Sequence, residues 1–239
     1  MHQRKGKKIL IFFFLLLLVG SINNISLDNL KFREINNINV SGLGDNDNAI
    51  ILEKIKKLNL ENIFLINRKK IANQIDTNSI VENYVVFKRY PSSLNVNINK
   101  TKFLARVNIS GKIFLVGSNG KLTENKFSNN KLPFIFGNPD IYDFLNFKDI
   151  IDKSIISYEE VKNLYYFSSK RWDLELKNNV IIKLPKNYSK ESLDLALEFL
   201  HSNEFRDIKI IDARIKNQII LDDWSNRFWN LSVCFKKQI

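Results

Sequence analysis

Leu94-Asn95-Val96-Asn97-Ile98-Asn99 alternates aliphatic and amide side chains without a break. Successive side chains on a strand point to opposite faces. The alternation therefore predicts a β-strand with its aliphatic face on a core and its asparagine face in water. Just before it, Tyr84-Val85-Val86-Phe87 is apolar and β-favouring, and runs through Arg89-Tyr90 to a turn at Pro91-Ser92-Ser93. Further back, Ile71 and Ile75 lie one turn apart in a short helix over Asn67–Ile75. Ile51, Leu52, Ile55 and Leu58 fall at three- and four-residue spacing, which predicts a helix over Asn48–Leu58, with Asp47 or Asn48 placed to accept its first free N–H groups. Ser41-Gly42-Leu43-Gly44 reads as a turn, and Ile38 and Val40 share one face of a short strand entered from a linker at Lys31. The order strand-helix-helix-strand-strand is a compact α/β module whose helices cover one face of a three-stranded sheet.

Upstream, Arg4, Lys5, Lys7 and Lys8 precede an apolar run from Ile9 to Ile22. A positive flank stays in the cytoplasm, so the chain beyond the run is expected outside it. Fourteen residues at ~1.5 Å each make roughly 21 Å of helix, against ~30 Å of bilayer hydrocarbon. Two readings stay open. A cleaved secretory signal would have Val19 and Ser21 at its minus-three and minus-one positions. An uncleaved anchor over residues 9–30 would be lengthened by Ile25, Leu27 and Leu30, with Lys7 and Lys8 snorkelling to the headgroups.

The formal charge is +12, from 37 Lys/Arg against 25 Asp/Glu, and +8 without the four cations before the apolar run. Lys accompanies Asn and Ile throughout, and no basic block with interleaved aromatics occurs, so a solvated basic surface is expected and no nucleic-acid partner. Cys234 is the only cysteine, which excludes an intramolecular disulfide and any multi-cysteine zinc site. A core must come from apolar burial, for which 44% hydrophobic residues over this length suffice.

After the module, Ile113–Val116 and Gly117-Ser118-Asn119-Gly120 read as a strand and a hairpin turn. Leu132-Pro133 and Gly137 follow, then an apolar helix over Asp140–Asp152 and a strand over Val161–Phe167. Lys170-Arg171-Trp172 leads into Asp173-Leu174-Glu175-Leu176, and Asn178-Asn179 turns the chain into Val180–Leu184 before Pro185. Ser189 is placed to cap a helix to about His201 with an apolar face of Leu193, Leu197 and Leu200. Ile208–Arg214 and Gln218–Leu221 are the next strands, and alternation over Trp229–Phe235 allows one more.

Together these features resemble the FtsQ/DivIB family of bacterial division proteins. Tyr90-Pro91, Leu94, Val96, Ile98 and Ala105 match the family pattern at the closing hairpin, with Lys100, Thr101 and Phe103 where Glu, Arg and Pro are usual. Leu132-Pro133 with Gly137, Arg171-Trp172, Leu184-Pro185 and the Asp212-x-Arg214 pattern are the other matches. The resemblance implies an α+β protein with a cytoplasmic N-terminus (1–8) and a single N-terminal transmembrane helix (9–30). A POTRA domain of order β-α-α-β-β (33–101) follows, then a β-rich domain of mostly antiparallel strands with flanking helices (102–222). A tail or extra strand (223–239) closes the chain. It also implies a non-enzymatic scaffold at the septum of the cell inner membrane that links early divisome proteins to late ones. Its C-terminal domains are then periplasmic, with FtsB, FtsL and other divisome membrane proteins as partners. A POTRA-bearing transport or outer-membrane assembly protein and an exported cell-wall enzyme are the alternative readings.

Chemistry-bearing motifs point the same way. His2 and His201 are the only histidines, so no two-histidine metal site is expected within the exported part. No nucleophile elbow, Walker loop or dinucleotide glycine pattern occurs, and neither cofactor nor catalytic residue is expected. Exposed strand edges are the alternative means of function. The candidate partner-binding residues are Arg214, Ile215, Ile219, Leu221 and Trp224, on an edge expected to be formed by the strands up to Arg214 and over Gln218–Leu221. Trp172 is expected in the core, and Arg171 to pair with Asp173 or Asp212.

Overall fold

The computed structural model describes residues 3–22, 35–60, 63–125, 131–187, 189–201, 208–222 and 233–236. The chain divides into two compact units, Met1–Ile75 with Tyr84–Ile98, and Asp76–Asn83 with Asn99–Ile239.

Helix α1 spans Gln3–Ile22. Its apolar side chains from Ile9 to Val19 are at least half exposed all round the helix. No helix among the described residues is long and apolar enough to cross a membrane, which corrects the expected span over 9–30. The physical reason is length. Cations occupy the first turns of α1, the apolar part is short of the hydrocarbon thickness, and Ile25, Leu27 and Leu30 lie outside the described residues.

In the first unit, β1 (Asn37–Ser41), α2 (Asp45–Lys56), α3 (Arg68–Asp76), β2 (Val81–Arg89) and β3 (Ser93–Lys100) follow in the expected order. The sheet order is β1-β3-β2, with β1 parallel to β3 and Val40 beside Val96. Leu94, Val96 and Ile98 are buried, as are Ile51 and Ile55 of α2 and Ile71 and Ile75 of α3, so the helical and strand periodicities converge on one apolar interior. Two details differ from expectation. Gly44, not Asp47 or Asn48, occupies the N-cap of α2; the Asn48 amide instead bridges the backbone N–H and C=O of Leu43. Asn67 caps α3, its Oδ1 accepting from the N–H groups of Lys69 and Lys70.

The second unit is one ten-stranded sheet. Its strands are β4 (Phe103–Ile109), β5 (Lys112–Gly117), β6 (Leu122–Glu124), β7 (Phe134–Phe136), β8 (Val161–Tyr166), β9 (Trp172–Leu176), β10 (Ile181–Lys183), β11 (Ile210–Asp212), β12 (Gln218–Asp222) and β13 (Val233–Lys236). They lie in the order β13-β12-β11-β10-β9-β8-β7-β4-β5-β6. Most neighbours are antiparallel; β10/β11, β4/β7 and β7/β8 are parallel, each joined by a crossover rather than a hairpin. Helices α4 (Ile141–Asp152) and α5 (Ser189–His201) supply Phe144, Phe147, Ile151, Leu193, Ala196 and Leu197 to a core shared with Leu164, Trp172, Leu174, Ile182, Leu184 and Ile211. Asp140 caps α4 through Tyr142 N–H. Ser189 is the first residue of α5 and its hydroxyl donates to the Pro185 carbonyl, rather than accepting from the helix.

Gly137 has φ +94°, and a Cβ there would lie 2.3 Å from the Tyr166 carbonyl oxygen, so β7 can close on β8 only with glycine after it. Segment Asp76–Asn83 belongs to this unit through polar contacts. The Asn119 amide donates to the carbonyls of Ser79 and Val81, and the hydroxyls of Thr101 and Ser118 donate to the Glu82 carboxylate.

Candidate partner-binding edge

Strand alternation decides what this end of the sheet presents. On β12, Ile219 and Leu221 point into the core at 2% and 6% exposure. Antiparallel pairing sets β12 against β11, with Ile211 opposite Leu221, and against β13, with Ile219 opposite Phe235. Strand β12 is therefore interior, which corrects the expectation that it forms the free edge together with β11. Strand β13 (Val233–Lys236) is what covers it. Ile219 and Leu221 are support for that end of the sheet, and Trp224 lies outside the described residues.

Arg214 and Ile215 stand in the β11–β12 turn and are exposed, Ile215 by half. The turn closes by Gln218 N–H to the Ile215 carbonyl, with Asn217 at φ +58°. Arg214 folds back on Asp212, its Nε donating to both carboxylate oxygens at 2.8 and 2.9 Å and its backbone N–H to Oδ1 at 3.1 Å. Burial would push the Asp212 carboxyl up. The bonds from Arg214 and the charges of Arg214 and Lys183 outweigh it, and hold it below the usual carboxylate range. The pair also raises the Arg214 guanidinium. The two residues of the Asp-x-Arg pattern thus hold each other, and the guanidinium stays partly in water.

The other motif residues are mainly structural. Leu184 is fully buried, and Trp172 packs among Phe147, Tyr166 and Phe144. Arg171 stacks over Phe167 at 4.3 Å and donates to Asp173 at 3.1 Å. Burial raises the Asp173 carboxyl, against the pull of Arg171. Tyr90 and Pro91 form the β2–β3 hairpin tip and are exposed, while Leu94 is core.

Two features escaped sequence reasoning. Glu175, buried on β9, accepts from Lys162 at 2.7 Å, Asn163 at 2.8 Å and Tyr165 at 2.7 Å. Burial and this carboxylate together push the Tyr165 hydroxyl up to about 12. The only signal was a glutamate between two core leucines, on the face of the strand opposite theirs, and its three partners come from a different strand. His201 ends α5 beside Glu160, Lys177 and Asn178 in an open depression of about 420 Å³. Among the described residues no three His, Cys, Asp or Glu side chains converge as a metal site.

A strand-helix-helix-strand-strand module followed by a mixed ten-stranded sheet is the architecture of the described residues. Residues 33–100 match the model of the POTRA domain, FtsQ-type, and residues 105–214 that of the cell division protein FtsQ/DivIB C-terminal domain. The chain belongs to the FtsQ/DivIB family of cell division proteins. Cell division protein FtsQ of Rickettsia conorii is 22% identical over 205 residues, 80% of this chain and 73% of that protein. FtsQ of Rhizobium meliloti is 23% identical over 190 residues, 77% of this chain and 61% of its own. Cell division protein DivIB of Staphylococcus aureus is 27% identical over 93 residues, 37% of this chain and 20% of its own. The solved extracytoplasmic domain of DivIB from Geobacillus stearothermophilus has a TM-score of 0.31 at 13% identity over 44% of this chain and 98% of its own, a likeness too low to argue from.

Proposed function

We propose that this protein is a non-enzymatic scaffold of the division septum that joins early divisome proteins to late ones and controls septal wall assembly through protein contacts. Its apolar helix α1 attaches it to the inner membrane, and both folded units lie on the periplasmic side. FtsB and FtsL are its partners, FtsB adding a strand to the end of the large sheet. The observation that carries this reading is the strand order. β13 is last, so one side of its backbone has no neighbour among the described strands, and such an edge can accept a strand from another protein. Arg214 and Ile215, exposed in the adjoining turn, supply side-chain specificity, while Ile219 and Leu221 fix β12 beneath it. Arginine and tryptophan are frequent centres of binding energy, and Trp224 joins Arg214 on that ground.

Capture of FtsB by the full chain, by Arg214→Glu, by Ile215→Ser and by a chain ending at Trp224 tests it. Arg214→Glu is expected to weaken capture about tenfold, with a lower melting temperature because Asp212 loses its partner. Ile215→Ser, which touches no such pair, should weaken capture with an unchanged melting temperature, and the shortened chain should lose capture. Undiminished capture by all three overturns the edge. Depletion should give filaments with unsplit septa, and normal division would overturn the scaffold role.

A further inference from the structure

Between α2 and α3 the chain passes through Ile63-Phe64-Leu65-Ile66-Asn67 and enters α3 at Arg68-Lys69-Lys70. Ile63 is buried and pins the loop, whereas Phe64 is 57% and Leu65 81% exposed. The Phe64 ring leans on Tyr90, centroids 5.0 Å apart. Tyr90 is itself 61% exposed, with Arg89 exposed beside it. Phe64 and Tyr90 thus meet at the surface of the first unit, and Leu65 is exposed next to them in the chain. Exposed cations follow directly in sequence, Arg68, Lys69 and Lys70 after the loop and Arg89 before Tyr90.

Local stability does not account for these cations. The first turn of α3 has no acidic residue, and positive charge at a helix N-terminus opposes the helix dipole. Among the described residues, Arg68, Lys69, Lys70 and Arg89 have no carboxylate partner. The helix amides are not on offer either, since Asn67 accepts from two of them. Residues 35–75 and 84–98 carry eight Lys/Arg against three Asp/Glu among the described positions. Exposed apolar tips flanked in sequence by unpaired cations complement a surface that is negative outside and apolar beneath.

We propose that this patch seats on an anionic bilayer surface. Phe64, Leu65 and Tyr90 enter the headgroup layer, and Arg68, Lys69, Lys70 and Arg89 meet phospholipid phosphates. The geometry rests in part on the attachment of α1 proposed above. The twelve residues 23–34 span at most about 43 Å when extended, so an inserted α1 keeps the patch within reach of the same membrane.

The full chain carrying Cys234→Ser and Leu65→Cys, labelled with an environment-sensitive fluorophore, tests this on vesicles of phosphatidylcholine alone or mixed with phosphatidylglycerol. Flotation reports attachment, and the label reports the patch. The expected result is flotation on both, with a blue shift only on the phosphatidylglycerol vesicles that fades as salt is added. Combined Arg68→Glu, Lys69→Glu and Lys70→Glu should weaken the label response about tenfold or more, and Phe64→Ser should reduce it without altering the melting temperature. Flotation with identical emission on both vesicles overturns the patch and leaves α1 attachment standing. Flotation and a blue shift confined to phosphatidylglycerol vesicles support the patch and overturn the α1 attachment. No flotation on either overturns both, and a label response indifferent to charge reversal overturns the patch.

Discussion

Trp172 lies flat on Phe147, ring centroids 4.8 Å apart and planes 2° from parallel. One ring comes from β9 and the other from α4, so the pair fastens the helix layer to the middle of the sheet. Tyr166 packs against the same indole at 4.7 Å. Trp172→Ala removes a large buried side chain and its aromatic contacts, and should cost about 3–5 kcal/mol. A urea titration reads this as a lower midpoint. A loss under about 1 kcal/mol would mean that the site collapses around the missing ring.

The register of β3 can be tested by neighbouring substitutions. Val96 is fully buried, whereas Asn97 faces water and its Oδ1 accepts from the Ser41 hydroxyl at 3.1 Å. Val96→Asp puts an unpaired charge in the core and should cost several kcal/mol, at least ~3. Asn97→Asp retains the acceptor and should stay within about 0.5 kcal/mol. Equal melting temperatures for the two variants would contradict the register.

Two glycines in one turn should differ sharply. A Cβ on Gly42, at φ +108°, would lie 1.7 Å from the Ile98 carbonyl oxygen, whereas one on Gly44 meets nothing within 4 Å. Gly42→Ala should therefore destabilise the first unit by more than ~2 kcal/mol through strain and clash. Gly44→Ala should lose only about 1 kcal/mol or less, as a weaker N-cap. Thermal melts of the two variants compare them directly.

Acid should weaken the protein through Glu175. Burial raises this carboxyl, but the bonds from Lys162, Asn163 and Tyr165 and the charge of Lys162 outweigh burial and hold it below the usual range. A folded-state value below the unfolded one gives stability that is present above the unfolded value. That stability is lost as pH falls through the folded one. Glu175→Gln should cost about 1–2 kcal/mol near neutrality, and the cost should shrink as pH drops below about 4. Urea midpoints of both proteins across that range check it, and a pH-independent difference would assign the effect to packing.

Much of this fold is readable along the chain because it rests on period. Leu94, Val96 and Ile98 at spacing two, and Ile51, Ile55, Ile71 and Ile75 at helical spacing, each name the face that must leave water. The same holds for α5, whose Leu193 and Leu197 lie one turn apart and are both buried. The Arg171-Trp172, Leu184-Pro185 and Asp212-x-Arg214 patterns pointed to the family because they sit where strands begin and end.

What only the tertiary structure decided is pairing between segments distant in sequence. Nothing local to Gln218–Asp222 says whether Val233–Lys236 lies beside it, yet that pairing converts β12 from an edge to an interior strand. Nothing local to Asp76–Asn83 shows that Asn119 and Ser118 hold it. Glu175 looks like one more charged residue until Lys162, Asn163 and Tyr165 converge on it from the neighbouring strand. Side-chain period is a property of a single segment and is written in its residues. Sheet order, buried charge and edges are properties of which segments meet, and that is settled by closure of the whole core.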